Sequence, residues 1–268
     1  GHYYNAPVEE RKQGAPVYKQ VDGRYEVVDY KTEMEYDSRF TGLFPRMYSS
    51  QSQHVNDYNS WVDIGGKTVT VRNSQGKQEQ KTVPSVGDNL EFFFKYQVGH
   101  MYLRYFMWNF SGRQNDIQGH GDVMRGNWIS GIPFIDNSRL GPQDQLPDYL
   151  KNNPANNKYY MLPFLLGVIG LWYQGRKNSR GFGVILILFL FTGIAIVYYL
   201  NQYPHQPRER DYAYAGSFYA YSIWIGLSVL AVWDYLRKHI PVRASAIVSA
   251  LILLPVPILM ASENWDDH

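Results

Sequence analysis

Along the second part of the chain the apolar positions run together instead of alternating. Four runs carry no Asp, Glu, Lys or Arg: 159–175, 181–207, 212–233 and 244–262. A helix needs about 20 apolar residues to cross the hydrocarbon of a bilayer, so these runs predict transmembrane helices over 159–175, 182–200, 214–235 and 243–261. The first is marginal in length and would tilt or sit slightly short. Residues 1–158 are patterned differently. PVYKQV and RYEVVDY flank Asp22–Gly23, a favoured type I′ pair, and predict a β-hairpin over 14–30. A second hairpin is expected over 67–83, where KTVTV is followed by the turn NSQG. Between them, 33–63 reads as an ordered but irregular loop packed by aromatic side chains. Residues 88–110 are aromatic nearly all round and interrupted by Lys95, His100 and Arg104. They predict a helix capped by Asp88 with Glu91 at the capping-box position. It would lie on the membrane surface or dock against the bundle; a fifth span is the third option. Residues 111–158 show no lasting period and read as a long loop.

The fold class that follows is a mainly α-helical membrane protein, with about four transmembrane helices and an extracytoplasmic polar region of short β-hairpins and an interfacial aromatic helix. Its parts are 1–87 (extracytoplasmic hairpins), 88–110 (aromatic helix), 111–158 (extracytoplasmic loop), 159–261 (membrane bundle) and 262–268 (tail). A soluble helical core would need far more polar shell than the chain supplies. Tyr159, Tyr160, Trp172 and Tyr173 near the ends of the first run, with Tyr198, Tyr199 and Tyr203 at the end of the second, suit interfacial belts. Gly167, Gly170, Gly193, Gly216 and Gly226 permit close helix approach.

Charge orients this bundle. Arg176, Lys177 and Arg180 fill one short turn, and Arg237, Lys238 and Arg243 surround another. The loop between carries Arg208 and Arg210 beside Glu209 and Asp211. The positive-inside rule puts the two basic turns in the cytoplasm. Residues 1–158, the 201–213 loop and the C-terminal tail are then outside, which in a two-membrane bacterium means the periplasmic side of the inner membrane. The net charge of +2 over 268 residues gives no basic footprint for nucleic acid. With no cysteine, disulfides, thiolate nucleophiles and cysteine-ligated zinc are excluded. The start at Gly1, without an initiator Met, reads as a fragment boundary.

Three segments carry candidate chemistry. In 201–219, His205, Arg208, Arg210 and Tyr212 stand between two spans. Arginines there can fork onto phosphate oxygens, and tyrosines can stack on a sugar; a solvated connector with locally paired charges is the plainer alternative. In 110–128, Arg113 and Arg125 are candidates for phosphate contact. Asp116, His120 and Asp122 beside them form no specific metal motif, since His and Asp at i and i+2 do not share a helix face. No metal site and no resident cofactor are expected. In 36–49, Asp37, Arg39 and Arg46 are interleaved with aromatics and would contact a carbohydrate or the membrane rim, with Asp37 a weak candidate for a general base.

The strings DSRFTGLFPRMYS (37–49), FFFKYQVGHMYLRYFMWNFSGRQND (92–116), GNWISGIPFIDNSRLGP (126–142) and NQYPHQPRERDYAYAGSFYAYSIWIG (201–226) resemble large multi-spanning membrane proteins of Bacteroidota that carry a domain of unknown function. That group in turn is similar to the protein O-mannosyltransferase-like branch of the GT-C glycosyltransferases. The resemblance covers nearly the whole chain and places it as a middle piece of a longer protein. It implies a polyprenyl-phosphate-linked sugar donor, a protein or glycan acceptor, and contact with membrane lipid. The family's essential acid lies in an early extracytoplasmic loop, and no residue here matches it, so the catalytic residue is not assigned. The alternative expectation is a non-enzymatic scaffold or subunit of a cell-envelope assembly. A transporter is less suited, because the spans lack buried ionisable residues along a path.

Overall fold

The computed structural model describes residues 1–72, 76–204, 208 and 210–265. The chain forms two compact units, Gly1–Tyr96 with Gln202–Gln206, and Gln97–Asn201 with Pro207–His268.

The first unit opens with a long antiparallel ribbon, β1 (Val8–Val21) and β2 (Arg24–Tyr36). Asp22 and Gly23 both take positive φ, 48° and 79°, as a type I′ turn requires. The hairpin expected over 14–30 is therefore present and extends further in both directions. A short 3₁₀ turn follows at Ser38–Phe40. The segment read as irregular, 33–63, also holds a helix, α1 (Ser52–Trp61). It lacks a side-chain cap and buries only His54 and Tyr58, so neither a cap nor an apolar stripe advertised it. β3 (Lys67–Arg72) and β4 (Gln78–Val83) form the second hairpin; Asn73–Gln75 of its expected turn lie outside the described residues.

The core of this unit is aromatic. Tyr58 stands edge-on to Phe92 at 5.2 Å, Phe92 stacks on Tyr96 at 5.1 Å, and Tyr4 lies 5.7 Å from Tyr58. Asn89 ties the layers together. Its Nδ2 donates to Tyr3 Oη (2.9 Å), and its Oδ1 accepts from the Arg46 N–H (3.0 Å). Asn89 lies on α2 (Val86–Phe92), which begins one turn earlier than the sequence suggests. The N-cap is Ser85: its hydroxyl accepts from the Asp88 N–H (3.1 Å), and the Asp88 carboxylate accepts from the Ser85 N–H (2.7 Å). Asp88 is thus the N3 residue of the capping box and Glu91 plays no part in it. A π-helical stretch, Phe93–Leu103, comes next, and the boundary between the units falls within it.

The second unit contains α3 (Arg104–Phe110), β5 (Gly112–Arg113), α4 (Pro133–Leu140), α5 (Asp148–Lys151) and β6 (Asn157–Lys158), then six helices: α6 (Leu162–Lys177), α7 (Ser179–Thr192), α8 (Ile194–Leu200), α9 (Ala215–Leu236), α10 (Val242–Leu253) and α11 (Pro255–Glu263). Three stretches are long and apolar enough to cross a membrane: Ser179–Leu200, Asp211–Leu236 and Val242–Glu263. The first is interrupted at Gly193 and the last at Leu254–Pro255, where the missing proline N–H breaks the helical ladder. α6 begins only after Tyr160 and Met161, both at positive φ (53° and 56°), and has 16 residues, about 24 Å by helical rise.

α6 packs along α9 because glycine opens the way. A Cβ at Gly170 would stand 1.8 Å from the Trp224 carbonyl oxygen, and one at Gly167 would stand 2.3 Å from the Tyr221 ring. Phe106, Phe110, Tyr221 and Trp224 form the core there, surrounded by Phe164, Phe182, Phe189 and Phe218. Trp224 Nε1 donates to Gln174 Oε1 (2.7 Å) and Tyr221 Oη to the Phe164 carbonyl (2.6 Å), so the polar atoms of these two core residues are satisfied. The outward faces are apolar and bare: α7 buries none of its residues, and Val184, Ile187, Leu190 and Phe191 are exposed. At one end Asp234 accepts from Tyr173 Oη (3.0 Å) and pairs with Lys177 (3.0 Å) and Arg237 (2.8 Å). One basic residue from each of the two turns, Lys177 and Arg237, is thereby held on one carboxylate.

Candidate functional site

Two polar regions of the second unit have the makings of a site. The first is built on α3, whose short sequence RYFMWNF puts Arg104 and Trp108 one helical turn apart. Arg104 is buried. Its Nε donates to the His100 carbonyl (2.9 Å) and its Nη1 to the Gly126 carbonyl (2.8 Å). The guanidinium lies over Tyr105 at 4.4 Å and Trp108 at 4.8 Å from the ring centroids. Arg113, on β5, is 5.6 Å from the same Trp108 ring. It is held there by its N–H on Asn157 Oδ1 (2.8 Å) and its Nε on the Ala155 carbonyl (3.1 Å). Tyr105 also adjoins Tyr214 at 6.4 Å, which ends the 3₁₀ turn Asp211–Tyr214. The result is a continuous run from Arg113 through Trp108 and Tyr105 to the turn that follows Arg210.

This neighbourhood is rich in donors. Tyr105 Oη and Trp108 Nε1 are buried without a hydrogen-bond partner among the described residues, and so is Arg210 Nε. Burying a donor unpaired costs about 1–3 kcal/mol, and such groups in a folded protein call for an explanation. A ligand oxygen is one that fits, since every unpaired atom here is a donor or, for the phenol, able to act as one. Desolvation and the Arg104 charge hold His100 well below its ordinary value, so it is neutral at pH 7.

The loop around these residues is fixed by amides rather than by regular structure. Gln114 Nε2 donates to Gln143 Oε1 (2.7 Å) and the Val123 carbonyl (3.1 Å); Asn127 Nδ2 donates to Gln114 Oε1 (3.0 Å). Asn115 accepts from the Gly126 N–H (2.9 Å) and donates to the Met124 carbonyl (2.9 Å). Gly126 has φ +57°, and a Cβ there would meet the Ile117 carbonyl oxygen at 2.7 Å and Arg104 Nη1 at 3.1 Å. Glycine is therefore what lets Arg104 reach the loop.

The second region is a cavity of about 450 Å³ lined by Asp136, Asn137, Gln143, Asp144, Lys151 and Lys158, among others. Asp136 is committed to structure: it accepts from the Ser130 N–H (2.8 Å), Ser130 Oγ (3.0 Å) and the Gly131 N–H (2.8 Å). The volume suits a small polar ligand.

The residues singled out in the sequence fare unequally. Arg113 belongs to the donor-rich run, and Arg210 precedes the 3₁₀ turn whose last residue, Tyr214, adjoins Tyr105. Arg208 is exposed and pairs locally, with Nη2 3.4 Å from Tyr212 Oη and the guanidinium 5.4 Å from that ring. Arg125 is exposed on the loop, with its carbonyl accepting from Asn127. His205 and Glu209 lie outside the described residues. Asp116 accepts from Asn153 (2.9 Å) and Asp122 from the Met124 N–H (3.0 Å), so both serve the loop. Among the described residues no three His, Cys, Asp or Glu side chains could hold a metal ion. In the first unit, Asp37 is an N-cap and not a free base. It accepts from the Arg39 N–H (2.9 Å) and from Arg39 Nε and Nη2, which hold its carboxyl below the usual range. A cavity of about 500 Å³ adjoins this pair. In the sequence Arg104, Tyr105 and Trp108 read as parts of an aromatic helix, and the Arg104–Trp108 spacing is the signal it offers for them.

A profile described as a family of unknown function (DUF8416) matches residues 1–94. No curated protein and no solved structure matches the chain.

Proposed function

We propose that the chain is part of a membrane glycosyltransferase that takes its sugar from a polyprenyl-phosphate donor at the outer face of the inner membrane. The observation that carries this reading is the coincidence, within one unit, of span-length apolar helices with buried, unsatisfied donors beside arginines. A lipid-phosphate leaving group needs a preorganised set of N–H donors where charge develops, and guanidinium groups present such donors in a fork. Arg208 and Arg210 stand at the start of one span-length stretch, where a lipid headgroup would arrive, and Arg113 and Tyr105 line the way inward. Four spans are assigned, with α6 as a short one. The Lys177 and Arg237 turns face the cytoplasm, and residues 1–158, the 201–213 loop and the tail face the periplasm. The second half of the aromatic segment 88–110 docks against the bundle through Phe106 and Phe110. The acceptor is a protein or glycan hydroxyl, activated by a base outside this chain, since Asp37 is already engaged.

Replacing Arg208 and Arg210 together by Ala in the full-length protein should weaken binding of a polyprenyl-phosphate sugar by tenfold or more, at unchanged thermal stability. Unchanged donor affinity and turnover would remove both residues from the site. Stable co-purification with a defined envelope protein, combined with no transfer activity, would favour a scaffold instead.

A further inference from the structure

The ribbon of β1 and β2 is two-faced, and its pairing register is what makes it so. Cross-strand partners share a face. Gln20 pairs with Tyr25 and Tyr18 with Val27, but Val17 then pairs with Asp29, so Val28 is an extra residue. Strict alternation after Tyr25 and Val27 would put Asp29 on their face. The bulge turns Asp29 away and brings in Tyr30, paired with Pro16. A second irregularity between Gln13 and Pro16 keeps the phase to the base of the ribbon, where Thr32 pairs with Gln13 and Met34 with Arg11. One face therefore carries Pro16, Tyr18, Tyr25, Val27, Tyr30 and Met34. The other collects the charges: Glu10, Lys12, Lys19, Glu26, Asp29, Glu33 and Glu35, with Lys12 paired to Glu10 and Glu35.

The aromatic face is bare. Tyr18 is 59% exposed, Tyr25 74%, Tyr30 47%, Val27 43% and Met34 48%. A two-stranded ribbon is marginal by itself, and an apolar sheet face is stable when a second layer covers it. We propose that the second layer is the same face of a second copy of this chain, packed about a twofold axis near Tyr30.

Two arguments favour a copy over another occupant. The first is area. With roughly 200 Å² for each tyrosine, the exposed parts of Tyr18, Tyr25 and Tyr30 offer about 360 Å², and the neighbouring Pro16, Val27 and Met34 bring the face to the order of 500 Å². Two copies would bury about 1,000 Å², the lower bound of a specific interface. The second is charge. Among the described face residues only Arg11 is charged, at the end of the ribbon opposite Tyr25. An antiparallel twofold sets Arg11 of one copy over Gln20 of the other, beside that residue's cross-strand partner Tyr25, within reach of a cation–π contact made twice, and opposes no like charges. Both copies would be held in one bilayer plane by their own helices, which raises their effective concentration. This inference does not depend on the glycosyltransferase reading.

These 268 residues contain no cysteine, and single cysteines are introduced into a full-length protein in which any cysteine outside them is replaced by serine. In native membranes containing the full-length protein, Val27→Cys and Tyr30→Cys treated with a short bismaleimide should give a cross-linked band at twice the monomer mass. Glu26→Cys and Asp29→Cys, on the charged face, should remain monomeric. Adding Tyr25→Asp to the Tyr30→Cys protein should cut the dimer band at least tenfold while the monomer keeps its detergent-solubilised size and circular dichroism. The proposal is overturned by monomers at both aromatic-face positions, by equal cross-linking from both faces, or by an adduct of a mass other than two chains.

Discussion

Asp37 shows what a single residue does in this chain. Its carboxylate caps a three-residue turn and holds Arg39 by two of its nitrogens. Arg39 is half in water, so the ion pair adds little on its own, and the cap is the larger contribution, about 1 kcal/mol. The native carboxyl titrates below its ordinary 3.8. As pH falls, the unfolded chain takes up the proton first, so the stabilisation is complete above that ordinary value and is lost as pH drops through the lower native one. Asp37→Ala should therefore cost about 1 kcal/mol at pH 7 and less at pH 2. Urea unfolding followed by tyrosine and tryptophan fluorescence at the two pH values measures this; an equal cost at both would contradict it. The same logic explains why Asp37 looked chemically promising in sequence. An acid among arginines and aromatics is what a base in a sugar site and a buried cap have in common, and only the 2.9 Å bond from the Arg39 N–H distinguishes them.

Elements were legible where their signal was local or long. Asp22–Gly23 between alternating strands located the ribbon, and uncharged runs located the span-length helices. α1 was not legible: SQHVNDYNSW is mostly polar, its N-cap Gln51 makes no side-chain bond, and tertiary contacts from Tyr58 hold it. The π-helical stretch left no mark because its aromatic residues occupy every face. Of the site, Arg113 and Arg210 could be named from sequence as arginines among aromatics. Tyr105 and Trp108 could not, because an unpaired buried donor is a property of packing. The α6–α9 contact tests this level best. Gly170→Leu forces a side chain into the Trp224 carbonyl, which a Cβ alone would approach to 1.8 Å, and overpacking costs about 1–3 kcal/mol. Thermal unfolding in detergent should show a clear drop in Tm for this variant. Gly226→Ala, with nothing within 4 Å of its Cβ, should hold or slightly raise it. A tolerated Gly170→Leu would mean that the helices do not meet there.

At the scale of the whole molecule, three stretches are long and apolar enough to cross a membrane, the first 158 residues carry no net charge, and the proposed topology puts those residues on one side of a bilayer and the turns near Asn178 and Lys238 on the other. The Asp234 cluster supports it, since Lys177 and Arg237 converge on one carboxylate and so mark one shared end of α6 and α9. If the arginine-bearing 208–212 segment faced the cytoplasm, the proposed use of an outer-leaflet lipid donor would fail, whatever the donors around Trp108 bind. The decisive measurement is labelling of single cysteines by a membrane-impermeant maleimide in intact spheroplasts. Lys31→Cys, Arg125→Cys and Arg208→Cys should label without permeabilisation, whereas Arg180→Cys and Lys238→Cys should label only after the membrane is opened. Labelling of Lys238→Cys in intact spheroplasts, with Arg208→Cys protected until permeabilisation, would contradict the account.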